Sequence, residues 1–125
     1  MSRNHLICVV DDDRSMLRIL TRAIKAAGCD VASFGSAEEF LNSGRIGEFA
    51  CLILDVDLPG ISGLELQTQL NRVGQNLPVI FISGEATQKT RQRALSEGAL
   101  AFFDKPFNIQ SLLATVRSVE TRPVI

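Results

Sequence analysis

The chain has 125 residues, 46% hydrophobic and 22% charged, with nine Gly and four Pro, which suits one globular core and leaves too little chain for two. Thirteen Lys and Arg against fourteen Asp and Glu give a net charge of −1, so no sequence-independent grip on nucleic acid or on an anionic membrane surface is expected. The odd cysteine count argues against a disulfide framework, and no apolar run approaches a membrane span; a soluble, cytoplasmic domain is expected.

Leu6 to Val10 is a continuous apolar run that stops abruptly at Asp11-Asp12-Asp13. That pattern predicts a strand buried on both faces, with Cys8 as a small buried hydrophobe. Met16, Ile19, Leu20, Ala23, Ile24 and Ala27 then recur at helical spacing, and Gly28 supplies the stop. Asp30 to Phe34 reads as a short strand. Ser36-Ala37-Glu38-Glu39 has the spacing of a capping box and opens a second helix carrying Phe40 and Leu41 inward. Residues 51–54, with Cys51 as a second core thiol, form the next strand, which ends at Asp55.

Pro59-Gly60 and Gly63 mark a loop, followed by a helix with Leu66, Leu70 and Val73 on one face. Residues 79–82 make another apolar strand, ending at Ser83-Gly84. The helix over 87–96 is polar, with Ala94 and Leu95 its main apolar residues, and it stops at Gly98. So few apolar side chains predict the most movable helix of the domain. Residues 100–103 are the last strand, ending at Asp104-Lys105-Pro106. Ile109, Leu112, Leu113, Val116 and Val119 make a final amphipathic helix. Five strands alternating with five helices predict a doubly wound α/β fold, a parallel sheet covered on both faces. The whole of 1–125 reads as one domain with its core at about 6–119.

Six of the seven Asp (Asp11, Asp12, Asp13, Asp55, Asp57 and Asp104) stand just past the ends of predicted strands, as do Ser83 and Lys105. In an open parallel sheet that edge is where ligands bind. Asp is also an ordinary loop and N-cap residue, which accounts for Asp13 or Asp104 singly but not for the whole set. Two unit charges about 4 Å apart repel by roughly 4 kcal/mol at an effective dielectric near 20. Asp11, Asp12 and Asp55 brought together therefore call for a cation. A few oxygen ligands suit Mg²⁺, which usually works beside a phosphate. Lys105 adds a point charge for an anion and Ser83 a hydroxyl donor. Metal, phosphoryl oxygens and a carboxylate nucleophile together describe aspartyl-phosphate formation.

Val9-Val10-Asp11-Asp12, Leu54-Asp55 followed by Leu58-Pro59-Gly60 and Gly63, Ile82-Ser83-Gly84, and Phe103-Asp104-Lys105-Pro106-Phe107 resemble the receiver domain of two-component response regulators. The resemblance covers about residues 6–119 and implies a flavodoxin-like strand order 2-1-3-4-5. It implies Asp55 as the phosphoryl acceptor, Asp12 as a direct Mg²⁺ ligand, Asp11 as a ligand through water, and the Asp57 backbone carbonyl as a further ligand. Ser83 and Lys105 become the partners of the phosphoryl group, Phe102 the switch aromatic, and Lys105–Pro106 a cis bond. Phe102 stands where Tyr is frequent and Ser83 where Thr is commoner. Gly84 leaves open space, and Asp57 puts an acid at the rim.

The implied partners are a sensor histidine kinase or phosphotransfer protein as donor, and a downstream effector or a fused output domain. A homodimer strengthened by phosphorylation is also implied, the signal leaving through the face of the fourth helix, last strand and last helix. His5, the only histidine, precedes the first strand at an expected surface position, so the phosphoryl group has to come from outside the chain. Such a domain catalyses only its own phosphorylation and dephosphorylation. The rivals are a haloacid-dehalogenase-type phosphohydrolase, whose Asp-x-Asp is imitated by Asp55-Val56-Asp57, and a receiver-like module that is not phosphorylated. Asp11-Asp12 preceding the supposed nucleophile, and the lack of room for a cap, count against the first. Every acidic, hydroxyl and lysine position being filled counts against the second. With only residues 121–125 after the last helix, the chain reads as a stand-alone protein or the receiver of a longer regulator.

Overall fold

The computed structural model describes residues 6–120; His5 and the tail at 121–125 lie outside them. In chain order the elements are β1 (Leu6–Val10), α1 (Arg14–Ala26), β2 (Asp30–Phe34), α2 (Ala37–Asn42), a 3₁₀ turn (Ile46–Glu48), β3 (Cys51–Asp55), α3 (Gly63–Arg72), β4 (Val79–Ser83), α4 (Gln88–Ser96), β5 (Ala101–Asp104) and α5 (Ile109–Glu120). The strands form one parallel sheet in the order β2-β1-β3-β4-β5. Strand order therefore reverses between β1 and β3, and a crevice opens there at the carboxyl ends of the strands.

The central strands β1, β3 and β4 read as nearly unbroken apolar runs because both their faces are covered. Ile7, Val9, Cys51, Ile53, Ile80 and Ile82 pack with Leu20 and Ile24 of α1 and Leu112, Leu113 and Val116 of α5. Cys8, Val10, Leu52, Leu54 and Phe81 point the other way, to Phe40 of α2, Leu66 and Leu70 of α3 and Ala94 of α4. Cys8, Cys29 and Cys51 are all buried thiols. Burial pushes the Cys8 thiol well above its ordinary range, which makes it an inert core group.

Asp13 caps α1, accepting from the Ser15 and Met16 N–H groups, and Ser36 caps α2 through the Glu39 N–H. At α2 the Ser36 hydroxyl turns to the Glu39 carboxylate. The reciprocal box stands at Ser62 and Glu65 on α3, where each side chain takes the other's backbone N–H. Gly28 and Gly98 end α1 and α4 as expected, with positive φ and paired 6→1 and 5→2 backbone bonds beyond each cap.

Two apolar residues depart from the expected pattern. Ile19 is 51% exposed, because it lies about 100° around the helix from Leu20; Leu17 fills the buried stripe instead. Val73 is 68% exposed, because α3 ends at Arg72 and Val73 is its C-cap, where the chain has already left the sheet. Gln67 takes the buried position beside Leu66 and Leu70.

Candidate functional site

Parallel register brings the strand ends level: Val10 pairs with Leu54, Asp55 with Ile82, and Ser83 with Asp104. Asp11 and Asp12 follow β1, and Asp55 is the last residue of β3. One carboxylate oxygen from each of the three lies within 4.8 Å of the others. Asp11 is fully buried, Asp55 is 4% exposed, and Asp12 is open to solvent. Asp11 Oδ1 accepts the Asp13 N–H at 2.9 Å, and Asp55 Oδ1 accepts the Asp57 N–H at 3.0 Å.

Lys105 reaches this group from beyond β5. Its Nζ donates to Asp11 Oδ2 at 3.1 Å and to Asp55 Oδ2 at 3.4 Å, so one ammonium bridges acids from two strands. Its N–H donates to the Ser83 carbonyl at 2.7 Å, and the following bond to Pro106 is cis. Burial pushes the Asp11 carboxyl up to about 6, with the Asp55 charge adding to the rise and the Asp13 N–H and Lys105 opposing it. Burial alone pulls Lys105 down, but Asp11 and Asp55 outweigh it and hold the ammonium above its ordinary range. Three carboxylates against one ammonium leave the site short of positive charge. An all-oxygen donor set, partly buried and partly open to water, fits a hard divalent cation such as Mg²⁺.

The other edge residues separate by role. Asp13 is a cap, and Asp104 pairs with Arg91 of α4 at 2.8 and 3.0 Å. Ser83 is fully buried; its hydroxyl donates to Asp57 Oδ2 at 3.1 Å and accepts the Glu85 N–H at 3.3 Å. The Asp57 side chain is thus bonded to Ser83 and stands outside the three-acid group. Gly84 faces open space. Phe102 is half-buried, its ring centre 5.9 Å from that of Phe81. The Arg91 guanidinium carbon lies 4.9 Å from the same ring centre.

Three contributors carried no signal, or an incomplete one, in the sequence. Arg91 is one of several polar residues on α4. Glu38 braces the loop after Asp55 by accepting the Ile61 N–H at 3.1 Å, a contact between residues distant in the chain. Gly63, read only as a loop mark and motif residue, lies against the backbone of Asp55. A Cβ there would collide with the Asp55 carbonyl oxygen and stand 2.9 Å from Val56 Cα.

A β1/β3 crevice holding acids from both strands and a lysine from β5 places the chain in a class: it belongs to the response regulator receiver domain family, which it matches over residues 7–117. It is a receiver domain of two-component response regulators, a reading supported over the phosphohydrolase and the unphosphorylated module. The chain is 43% identical over 121 residues to nodulation protein W of Bradyrhizobium diazoefficiens, covering 97% of this chain and 53% of that protein. It is 40% identical over 116 residues to the response regulator protein TodT of Pseudomonas putida, covering 93% and 51%. The structure of the response regulator StyR matches with a TM-score of 0.85 at 36% identity, over 92% of this chain and 58% of that one. The chain spans about half the length of the curated relatives it matches. No helix among the described residues is long and apolar enough to cross a membrane.

Proposed function

We propose that this receiver accepts a phosphoryl group on Asp55 from a phosphohistidine of a sensor kinase or phosphotransfer protein in the cytoplasm. The observation that carries the reading is Asp55 itself, a nearly buried carboxylate sharing one ammonium with Asp11 and grouped with Asp11 and Asp12. An Asp55 carboxylate oxygen attacks phosphorus, the P–N bond breaks, and the imidazole leaves with the electron pair and takes up a proton. Water later attacks the same phosphorus, releasing inorganic phosphate and restoring the carboxylate. The domain acts as an enzyme only on its own phosphoryl group.

Asp12 and Asp55 would hold Mg²⁺ directly, Asp11 through water and Asp57 through its backbone carbonyl. When bound, the ion neutralises charge on the transferring phosphoryl oxygens. Lys105 Nζ turns from the acids to a phosphoryl oxygen, and the Ser83 hydroxyl donates to another. As Ser83 moves toward Asp55, Phe102 turns into the space it leaves. The face of α4, β5 and α5 then changes shape for an effector, for an output domain of the same protein, or for a second receiver.

The test is incubation with phosphoramidate or acetyl phosphate and Mg²⁺. Mass should rise by one phosphoryl group, the adduct should be acid-stable and base-labile, and chelator or Asp55→Asn should abolish it. Phosphate mapped to a Ser or Thr would overturn the reading.

A further inference from the structure

The Ser83 hydroxyl has one proton to donate, and in this structure that proton goes to Asp57 Oδ2 at 3.1 Å. The Asp55 oxygens are otherwise engaged, Oδ1 by the Asp57 N–H and Oδ2 by Lys105. Ser83 is fully buried, while Asp57 sits at the exposed rim. A phosphoryl group on Asp55 and the Asp57 carboxylate therefore compete for a single donor. Bonds to an ionised acceptor are the stronger kind, so the competitor already in place is not trivial to displace.

We propose that Asp57 is a positioning residue: its side chain holds the Ser83 hydroxyl away from Asp55 in the unphosphorylated domain, and phosphorylation has to win the hydroxyl from it. This rests on the reading of Asp55 as phosphoacceptor and adds a role for the Asp57 side chain, separate from its backbone carbonyl. The latch sets how far the resting domain leans toward its inactive arrangement. It acts on the same hydroxyl that carries the signal toward Phe102.

The experiment measures beryllofluoride affinity, with Mg²⁺ present, for the unsubstituted chain, Asp57→Ala, Ser83→Ala and the double variant. Removing the Asp57 charge favours an anion at Asp55 in any background, so the informative quantity is the ratio between backgrounds. Asp57→Ala should tighten binding about ten-fold more with Ser83 intact than in the Ser83→Ala background, the lower end for one hydrogen bond to a charged group. Asp57→Asn keeps an acceptor oxygen and should recover part of that gain. The Glu85 amide, which donates to Ser83 Oγ, should shift in unphosphorylated Asp57→Ala and much less in Asp57→Asn. An equal effect of Asp57→Ala in both backgrounds, or a silent Glu85 amide, overturns the latch. Phosphoramidate labelling of the unsubstituted chain separates the two readings. If Asp55 is labelled and the ratios are equal, the latch alone fails; if Asp55 is not labelled, both fail.

Discussion

Asp11 bears most of the electrostatic cost of the site, because it is an acid with no exposed surface and only one cationic neighbour among the described residues, Lys105. Unfolded, it titrates near the ordinary 3.8; folded, it is pushed up to about 6. Between those values the native state holds the proton more tightly than the unfolded chain. Stability from this group is therefore full below about pH 4 and falls as pH rises toward 6, by up to about 3 kcal/mol. Asp11→Asn should flatten that slope and leave the metal-free domain more stable at pH 7, while weakening Mg²⁺ binding. Urea unfolding in chelator between pH 4 and 8, followed by far-ultraviolet circular dichroism, checks it. An undiminished slope in Asp11→Asn would assign the dependence to another group.

Among the elements, α4 is the thinly packed one. Ala94 is its one fully buried residue, and Leu95 is 45% exposed. Polar ties to α3 supply what apolar contact does not: Gln67 Nε2 donates to the Ala94 carbonyl, Thr68 Oγ1 to the Glu97 carboxylate, and Asn71 Nδ2 to the Glu97 carbonyl. Helices held this way exchange their amides early, so α4 should lose protection before α1 and α3 in native-state hydrogen exchange. Gln67 is 2% exposed and its Oε1 has no hydrogen-bond partner. The Ala94 carbonyl also accepts the Ala99 N–H, so it stays satisfied if Gln67 is replaced. Gln67→Leu should then change stability by less than about 1 kcal/mol, since it removes one bond together with one unpaired buried acceptor. Gln67→Ala, which leaves a cavity, should cost more. Denaturant midpoints of the two variants decide it, and a large loss for Gln67→Leu would show that the tie itself holds α4.

For the whole molecule, cation binding at the three-acid group would be a property of the folded state. Asp11, Asp12 and Asp55 come from β1 and β3 and are gathered only when the sheet forms. Mg²⁺ at a hundred-fold excess over its dissociation constant should add about 2.7 kcal/mol to stability. Asp12→Asn should raise metal-free stability and shrink that increment. The chain has no Trp and no Tyr, so calorimetry or circular dichroism supplies the readout. A melting temperature indifferent to millimolar Mg²⁺ or chelator would count against the cluster.

The sequence by itself determined the alternation of elements and which strand ends carry chemistry. Short β-branched runs such as Leu6–Val10 point to a strand buried on both faces, and Gly28 and Gly98 stop helices through their own backbone freedom. These are local properties, written within a few residues. It went astray where helical period was extended past a helix end, as at Val73, or off the buried stripe, as at Ile19. Asp11, Asp12 and Asp55 were already singled out in the sequence, but their convergence is tertiary: strand register and order, not spacing, bring them within one ion's reach while leaving Asp13 as a cap and Asp104 with Arg91. Tertiary structure alone gave the Ser83 proton to Asp57, 26 residues away in the chain. A hydrogen bond depends on ångström placement of two side chains, and that placement exists only once the sheet has set β3 beside β4.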